Sequence, residues 1–184
     1  DDDKIALEKL LPQLSETIKK ALQNGTLIID YIGGAGNLRY KLSFYRNLQC
    51  KYHVLLDNDP AGRQAGQEAE NQGLLTVRNT TYTMCNGSPD AEIEDCYEKT
   101  AYKDAIQDEF GVNLNVPEFR TNQKWSDRVA TCFRAQGKQW GTIMEKRVKL
   151  CVANALPQDP ARALNQHKRS SIDALVSALE IAIS

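Results

Sequence analysis

The sequence KYHVLLDNDPAGRQAG, residues 51–66, is a run of strand-forming residues that stops on two aspartates. YHVLL (52–56) is nearly continuous in its apolar character, as expected for a strand covered on both faces. Asp57 and Asp59 follow with only Asn58 between them. One interpretation is a capped turn, because Asp and Asn favour helix starts and Pro60 suits the first helical position. The other is a metal site, because residues two apart on a strand point the same way.

Strands alternate with helices along the first part of the chain. Apolar runs predict strands over 26–32, 52–56, 74–77 and 81–85. Three- and four-residue spacing, helix caps and turn signals predict helices over 5–22, 38–48, 60–71, 91–109, 126–135, 140–155 and 170–183. The alternation predicts an α/β fold with a mostly parallel sheet flanked by helices, followed by a helical appendage. We expect an α/β core over 1–112, which the resemblance described below implies is catalytic, and a helical, basic subdomain over 113–184.

Composition narrows the class of protein. The chain has 184 residues, of which 41% are hydrophobic and 26% charged, which is enough for a sizeable core. Its five cysteines are an odd number with no CxxC pair, which argues against a disulfide framework or a zinc site and for a reducing compartment. No apolar run approaches ~18 residues and no secretory leader is recognisable, so we expect a cytoplasmic protein without a membrane span.

The net charge of −1 conceals an asymmetry. Residues 1–119 carry 12 Lys and Arg against 19 Asp and Glu, whereas residues 120–170 carry 11 against 3. An acidic half suits a site that gathers cations, and a basic segment suits a flank that holds a polyanion, although basic faces are often simply solvated surface.

A second acidic cluster, SPDAEIEDCYE, covers residues 88–98. Asp90 as a helix cap, with acids in the first helical turn, would explain part of it. The remaining acids suggest that Glu92 or Glu94 reaches across to Asp57 and Asp59. Asp57 and Asp59, together with Glu92 or Glu94, would make a hard oxygen site for Mg²⁺ or Mn²⁺. The glycine turn IGGAGNL (32–38) lacks the full dinucleotide fingerprint, and is better explained as a tight loop that a phosphate or a strand approaches closely.

The basic stretch FRTNQKWSDRVATCFRAQGKQW, residues 119–140, interleaves cations with aromatic side chains. The aromatics suit the packing face of a helix, and the cations suit contact with a phosphate backbone. The candidate nucleic-acid-binding residues are Lys124, Arg128, Arg134 and Lys138, with Lys168 and Arg169 at the entry to the last helix. Lys124 is also the candidate for stabilising charge on a scissile phosphate.

These motifs in this order resemble the Toprim domain. A strand ending in LLDNDPAG (55–62) is preceded by IGGAGNL and followed by EIED (92–95), and the combination is most similar to the Toprim nuclease half of OLD-family (overcoming lysogenization defect) endonucleases. The likeness continues through KWSDR (124–128) and NQHKRSSIDALVSALE (165–180), so it covers nearly the whole chain.

The resemblance implies a cytoplasmic, DNA-cutting phosphodiesterase of phage defence that uses two divalent ions, Mg²⁺ or Mn²⁺. Asp57 and Asp59 match its DxD ligands, Glu94, with Glu92 or Asp95 nearby, matches its later acidic position, and Lys124 is the best match for its lysine near the scissile phosphate. The reaction would be in-line attack by a metal-activated water.

The sequence departs from the family pattern at its start. The Toprim pattern opens with a strand that carries a glutamate, whereas this sequence begins at DDDKIALEKLL. The resemblance implies that this strand is missing and that one of residues 1–3, here assigned as Asp3, takes the second acidic position, unless DDDK is the remnant of a tag. It also implies an N-terminal ATPase half as partner, association of copies through that half, and weak activity of this part alone.

Two alternatives remain at the level of sequence. A phosphatase of the haloacid dehalogenase type also ends a strand on DxD and uses the first Asp as nucleophile, but DNDPAG lacks the usual Thr or Val after the motif. A non-catalytic nucleic-acid-binding module with a structural acidic site is the other.

Overall fold

Two short parallel strands form a sheet in the part of the chain that the structure describes. The structure is a computed structural model that describes residues 2–183. Val54–Leu56 (β1) pairs with Thr80–Tyr82 (β2), with Val54 opposite Thr80 and Leu56 opposite Tyr82. The fold is therefore mixed α/β, as predicted, but it is rich in helix and its parallel sheet is small.

Helices make up most of the regular structure. They are α1 (Asp2–Leu14), α2 (Glu16–Gln23), α3 (Leu38–Asn47), α4 (Pro60–Asn71), α5 (Lys103–Phe110), α6 (Trp125–Ala135), α7 (Thr142–Ala155), α8 (Pro160–Ala163) and α9 (Ser170–Ile183). Short 3₁₀ turns cover Ala35–Asn37, Ile93–Cys96, Lys99–Ala101 and Pro117–Phe119. The predicted helices over 38–48, 60–71, 126–135, 140–155 and 170–183 are confirmed to within two residues. None of the helices in residues 2–183 has the length and apolar character needed to cross a membrane.

Two predicted strands are wrong. Residues 26–32 run without a strand partner, and Ile28 is 77% exposed, because the two-stranded sheet does not extend to this segment. The segment is held instead by Asp30, which accepts hydrogen bonds from Lys41 and Tyr45 of α3. In the segment 74–77 the Leu74 side chain is buried, but the backbone bends at Leu74 and turns at Val77, so the predicted strand does not form.

Two predicted helices also differ from the structure. The helix predicted over 5–22 divides at Ser15, whose Oγ accepts a hydrogen bond from the Ile18 amide at 3.2 Å and caps α2. The helix predicted over 91–109 is two 3₁₀ turns followed by α5. Asp95 accepts a hydrogen bond from the Glu92 amide at 2.9 Å, and such local side-chain bonds compete with helix formation.

The apolar residues form two clusters. The smaller surrounds β1 and consists of Leu38, Leu42, Val54, Leu56, Ala65, Ala69, Leu74 and Leu75. The larger draws on α1, on residues 93–119 and on α6, α7 and α9, and has Trp125 and Phe133 at its centre. It takes residues from both sides of the predicted boundary at 112/113, and that boundary stays a prediction.

The turn after β1 depends on a glycine in the first turn of α4. Asp59 caps this helix, its Oδ1 accepting a hydrogen bond from the Gly62 amide at 2.8 Å, and Pro60 begins it. A Cβ at Gly62 would overlap the backbone carbonyl oxygen of Asp57. The close approach of these two backbones fixes the position of Asp57 relative to α4.

We expect Gly62→Ala to lower the free energy of unfolding by about 1–3 kcal/mol, because the added methyl group forces the Asp57 carbonyl to move. Gly36→Ala is the matched control, since a Cβ there meets no atom within 4 Å. Urea denaturation of both variants measures the difference. Equal stability of the two variants would contradict the close approach.

His53, next to β1, gives the structure a pH dependence. Its Nε2 lies 2.8 Å from Thr81 Oγ1, and burial lowers the pKa of the imidazole below its ordinary value of 6.5. The unfolded chain therefore takes up the proton at a higher pH than the folded chain does, and stability falls as the pH drops through 6.5 toward the folded pKa.

We expect the wild type to lose stability relative to His53→Gln as the pH is lowered from about 8 to about 5. Comparing the two proteins cancels the contribution of every other group that titrates in this range. Urea midpoints at a series of pH values measure the effect, and a difference that does not change with pH would contradict it.

Candidate metal centre

A pair of backbone hydrogen bonds joins the two acidic segments of the sequence. The Asn58 amide donates to the Ala91 carbonyl at 2.9 Å, and the Ala91 amide donates to the Asn58 carbonyl at 3.0 Å. Since Asn58 separates the two aspartates and Ala91 precedes Glu92, this antiparallel bridge sets the carboxylates of both segments side by side. The structure thus brings the two acidic segments together, and a metal site shared by Asp57, Asp59 and Glu92 or Glu94 stays a prediction.

Asp57 faces the second acidic segment. Its Oδ1 accepts a hydrogen bond from the Ile93 amide at 3.2 Å. Burial raises the pKa of the Asp57 carboxyl to about 7, and the nearby charges of Asp3, Glu92 and Asp59 add to the rise while Lys149 opposes it. A further positive charge beside this carboxyl would lower its pKa again.

Asp59 has two partners. Its Oδ1 caps α4, and its Oδ2 accepts a hydrogen bond from Lys124 Nζ at 2.9 Å. Burial would raise the pKa of this carboxyl, but the bonds from the Gly62 amide and from Lys124 hold it below its usual value. The capped-turn interpretation of the motif is therefore confirmed for Asp59.

Glu92 is 3% exposed, and both of its carboxylate oxygens accept hydrogen bonds. Its Oε2 accepts from the Ser126 amide at 2.7 Å, and its Oε1 accepts from Ser126 Oγ at 3.0 Å and from Lys124 Nζ at 3.2 Å. Burial would raise its pKa, yet Lys149, Lys124 and these bonds lower it. The carboxylate is thus held charged against the N-terminus of α6.

Asp95 performs a structural task at the same helix. Its Oδ2 accepts a hydrogen bond from the Trp125 amide at 3.1 Å, and its Oδ1 pairs with Arg128 Nη2. Arg128 is 7% exposed and lies over the Phe119 ring, 4.6 Å from its centroid. The structure does not support the prediction that Arg128 binds nucleic acid, because its guanidinium is turned into the protein to neutralise a buried carboxylate.

Lys149 of α7 lies in the cluster, although it belongs to none of the sequence motifs. Its Nζ is 3.4 Å from both Glu92 Oε1 and Glu94 Oε2. Burial would lower the pKa of this ammonium, but the charges of Glu94, Glu92, Asp57 and Asp3 raise it. The sequence offered one signal: Lys149 stands next to buried Val148 and shares the helical face of Val152 and Ala153.

Asp3 and Glu94 complete the group. Oxygen atoms of Asp2, Asp3 and Glu94 all lie within 4.8 Å of one another, a spacing that a shared metal ion allows. Burial raises the pKa of both Glu94 and Asp3, and Lys149 opposes the rise. Burial, together with the charges of Glu94 and Asp3, raises the pKa of the Tyr97 hydroxyl, which has no hydrogen-bond partner among residues 2–183.

We call this set the acidic nest. It consists of Asp2, Asp3, Asp57, Asp59, Glu92 and Glu94, with the ammonium groups of Lys124 and Lys149 against it. Six carboxyls face two lysines, and burial raises the pKa of three of them. Carboxylate oxygens are the ligands that Mg²⁺ and Mn²⁺ prefer, so the donor set fits these ions.

The remaining predicted cations lie outside the nest. Arg134 and Lys138 are exposed at and beyond the far end of α6, about 15 Å of helix from Lys124. Arg169 is paired with Asp173, its Nη2 lying 2.7 Å from Oδ1, and Lys168 precedes it in the loop before α9. The turn at residues 35–37 packs on α3 and α4.

We expect Arg128→Met to lower the free energy of unfolding by about 3–5 kcal/mol, since it leaves the Asp95 charge buried without its partner. Arg134→Met on the same helix is the matched control, because Arg134 is exposed, and should change it by about 0.5 kcal/mol or less. Chemical denaturation measures both. A small effect of Arg128→Met would contradict a buried ion pair.

Comparison of the chain with protein-family models, with curated proteins and with solved structures found no match. The resemblance to Toprim nucleases therefore stays a prediction that the quoted motifs carry. The chemistry of the acidic nest follows from its own geometry.

Proposed function

We propose that this chain hydrolyses phosphodiester bonds of DNA at the acidic nest with two bound Mg²⁺ or Mn²⁺ ions, as the nuclease part of a Toprim enzyme of the OLD family. One observation carries the proposal: carboxyls from α1, from the turn after β1 and from residues 92–94 lie around two lysines that they outnumber, and the oxygen atoms of Asp2, Asp3 and Glu94 are close enough to share an ion. Burying so many carboxyls without further positive charge is costly.

The contacts favour particular residues as ligands. Within residues 2–183 the Glu94 carboxylate has Lys149 as its one hydrogen-bond partner, whereas both carboxylate oxygens of Glu92 are engaged by Ser126 and the lysines. Glu94 is therefore a better ligand than Glu92, which serves better to anchor α6. Asp2 and Asp3 lie close enough to Glu94 to share an ion with it, and Asp57, which faces the same segment at Ile93, is the further ligand. Asp59 has one oxygen committed to the α4 cap, so only the oxygen that now holds Lys124 is available to an ion.

The ions would supply Lewis-acid stabilisation of the phosphate and a bound water that ionises near neutral pH. Lys124 would contribute a fixed positive charge at the reacting phosphate, because its ammonium is held between Asp59 and Glu92 at the start of α6. Its pKa is raised by these two carboxylates, although burial opposes the rise, so it acts as a cation and not as a base.

DNA as the substrate is supported by the distribution of charge. Residues 120–170 carry the excess of cations, and Arg134 and Lys138 expose theirs to solvent beyond the nest. Such cations bind the backbone of nucleic acid without reading its sequence. An ATPase partner half, association of copies through it and a cytoplasmic location belong to the same proposal.

We expect the chain to nick supercoiled plasmid in Mn²⁺ and Asp57→Asn to reduce nicking by at least about 100-fold, because one ligand charge is removed. The carboxamide of this variant retains an oxygen for the Ile93 amide, so the fold should persist. Asp108→Asn, at an exposed site on α5, is the matched control and should nick like the wild type.

Equal nicking by the Asp57 and Asp108 variants would overturn the proposal. Release of phosphate from a monoester, without nicking by the wild type, would favour a phosphatase of the haloacid dehalogenase type. Binding of DNA without turnover in any divalent ion would favour the non-catalytic module.

A further inference from the structure

Lys149 occupies an unusual position for a lysine. Its side chain is 14% exposed, and its ammonium contacts two carboxylates that are each 3% exposed. Lysine is almost never buried to this degree unless it is paired with opposite charge. The Lys149 ammonium is therefore a cation that the protein itself has placed among the carboxyls of the acidic nest.

The contacts of this ammonium are loose. Both distances from Nζ to carboxylate oxygens are 3.4 Å, whereas Lys124 reaches Asp59 at 2.9 Å. Ammonium–carboxylate hydrogen bonds are ordinarily about 2.7–2.9 Å long. Lys149 is thus held by the summed field of several carboxylates more than by any one bond.

The backbone beneath Lys149 is fixed by packing and by hydrogen bonds from α1. Val148 and Val152 are fully buried on either side of it. Lys9 of α1 donates hydrogen bonds to the carbonyls of Ala153 and Asn154 at 2.8 and 2.7 Å, near the C-terminal end of α7. Because α1 also carries Asp3, the two helices hold the ammonium and this carboxyl against each other.

We propose that Lys149 is a built-in competitor of the divalent ions: its ammonium neutralises the acidic nest in the metal-free protein and leaves Glu92 and Glu94 when an ion binds. This inference rests on the proposed function, because it takes the nest to be the metal site. The affinity of the acidic nest for a divalent ion then depends on the free energy needed to displace the Lys149 ammonium. The four-carbon stem lets the ammonium turn toward solvent without movement of α7.

The experiment compares Mn²⁺ binding to the wild type, Lys149→Met and Lys146→Met, using electron paramagnetic resonance to count free Mn²⁺. Lys146→Met is the matched control, since it removes the same charge from an exposed position of the same helix. We expect Lys149→Met to bind Mn²⁺ at least about tenfold more tightly than the wild type, because the competing charge is gone. Lys146→Met should bind within about twofold of the wild type.

The thermal midpoint gives an independent readout. In EDTA, Lys149→Met should melt about 5 °C or more below the wild type, because the carboxylates lose their counter-ion, and saturating Mn²⁺ should restore most of the loss. The midpoint of Lys146→Met should follow the wild type in both conditions.

The outcomes separate this inference from the proposed function. If the wild type binds Mn²⁺ and folded Lys149→Met binds it no more tightly, the competitor role is wrong and the metal site stands. If neither protein binds Mn²⁺, both proposals fail. If only Lys149→Met binds, Mn²⁺ does not displace the ammonium of the wild type, and both the displacement and the metal site of the wild type are wrong.

A measurement on the wild type decides the question if Lys149→Met does not fold. Amine dimethylation followed by mass spectrometry gives the labelling of Lys149 relative to Lys146, with and without Mn²⁺. Displacement of the ammonium toward solvent should increase this ratio when Mn²⁺ is added. An unchanged or smaller ratio would overturn the inference.

Discussion

The antiparallel bridge between Asn58 and Ala91 is the constraint on which the rest of the site depends. Its two hydrogen bonds use the only residue between Asp57 and Asp59, so the backbone that carries both aspartates is held next to the second acidic segment. The crowding of Gly62 against the Asp57 carbonyl fixes the same turn from the side of α4. Carboxylates that would repel one another in a flexible loop are held together because their backbones are hydrogen-bonded and packed.

The acidic nest then divides its members between structure and chemistry. Glu92, together with neighbouring Asp95, accepts hydrogen bonds from the first amides of α6, which orients Lys124 at the start of that helix. Asp3, Asp57 and Glu94 have fewer such bonds, and burial raises their pKa values instead. Groups that the fold leaves under-neutralised are the ones most able to gain from a bound cation.

The sequence predicted the elements that carry their own signals. Pro60 after a capping aspartate marked the start of α4, and regular apolar spacing located α6, α7 and α9. It did not predict that 26–32 lacks a strand partner, because β-branched composition does not reveal whether a neighbour is present. The sequence did predict that the two acidic segments lie near each other, because each of them follows a predicted strand. The contacts of Lys149 and Arg128 with buried carboxylates could not be predicted. The neighbouring residues in a helix do not show which carboxylate will contact a cation in three dimensions.

The acidic segment is fastened at both of its ends. Beyond the bridge at Ala91, Tyr97 pairs with Leu164, the Glu98 amide donating to Ala163 at 2.8 Å and the Asn165 amide donating to Cys96 at 2.9 Å. The loop after α8 is thus a mechanical support of carboxylates that precede it by some 70 residues in the chain. A cut, an insertion or a bound partner at residues 163–165 would remove backbone bonds that hold the segment of Glu92 and Glu94. The positions of these two carboxylates can therefore be changed from a distance, without contact with either.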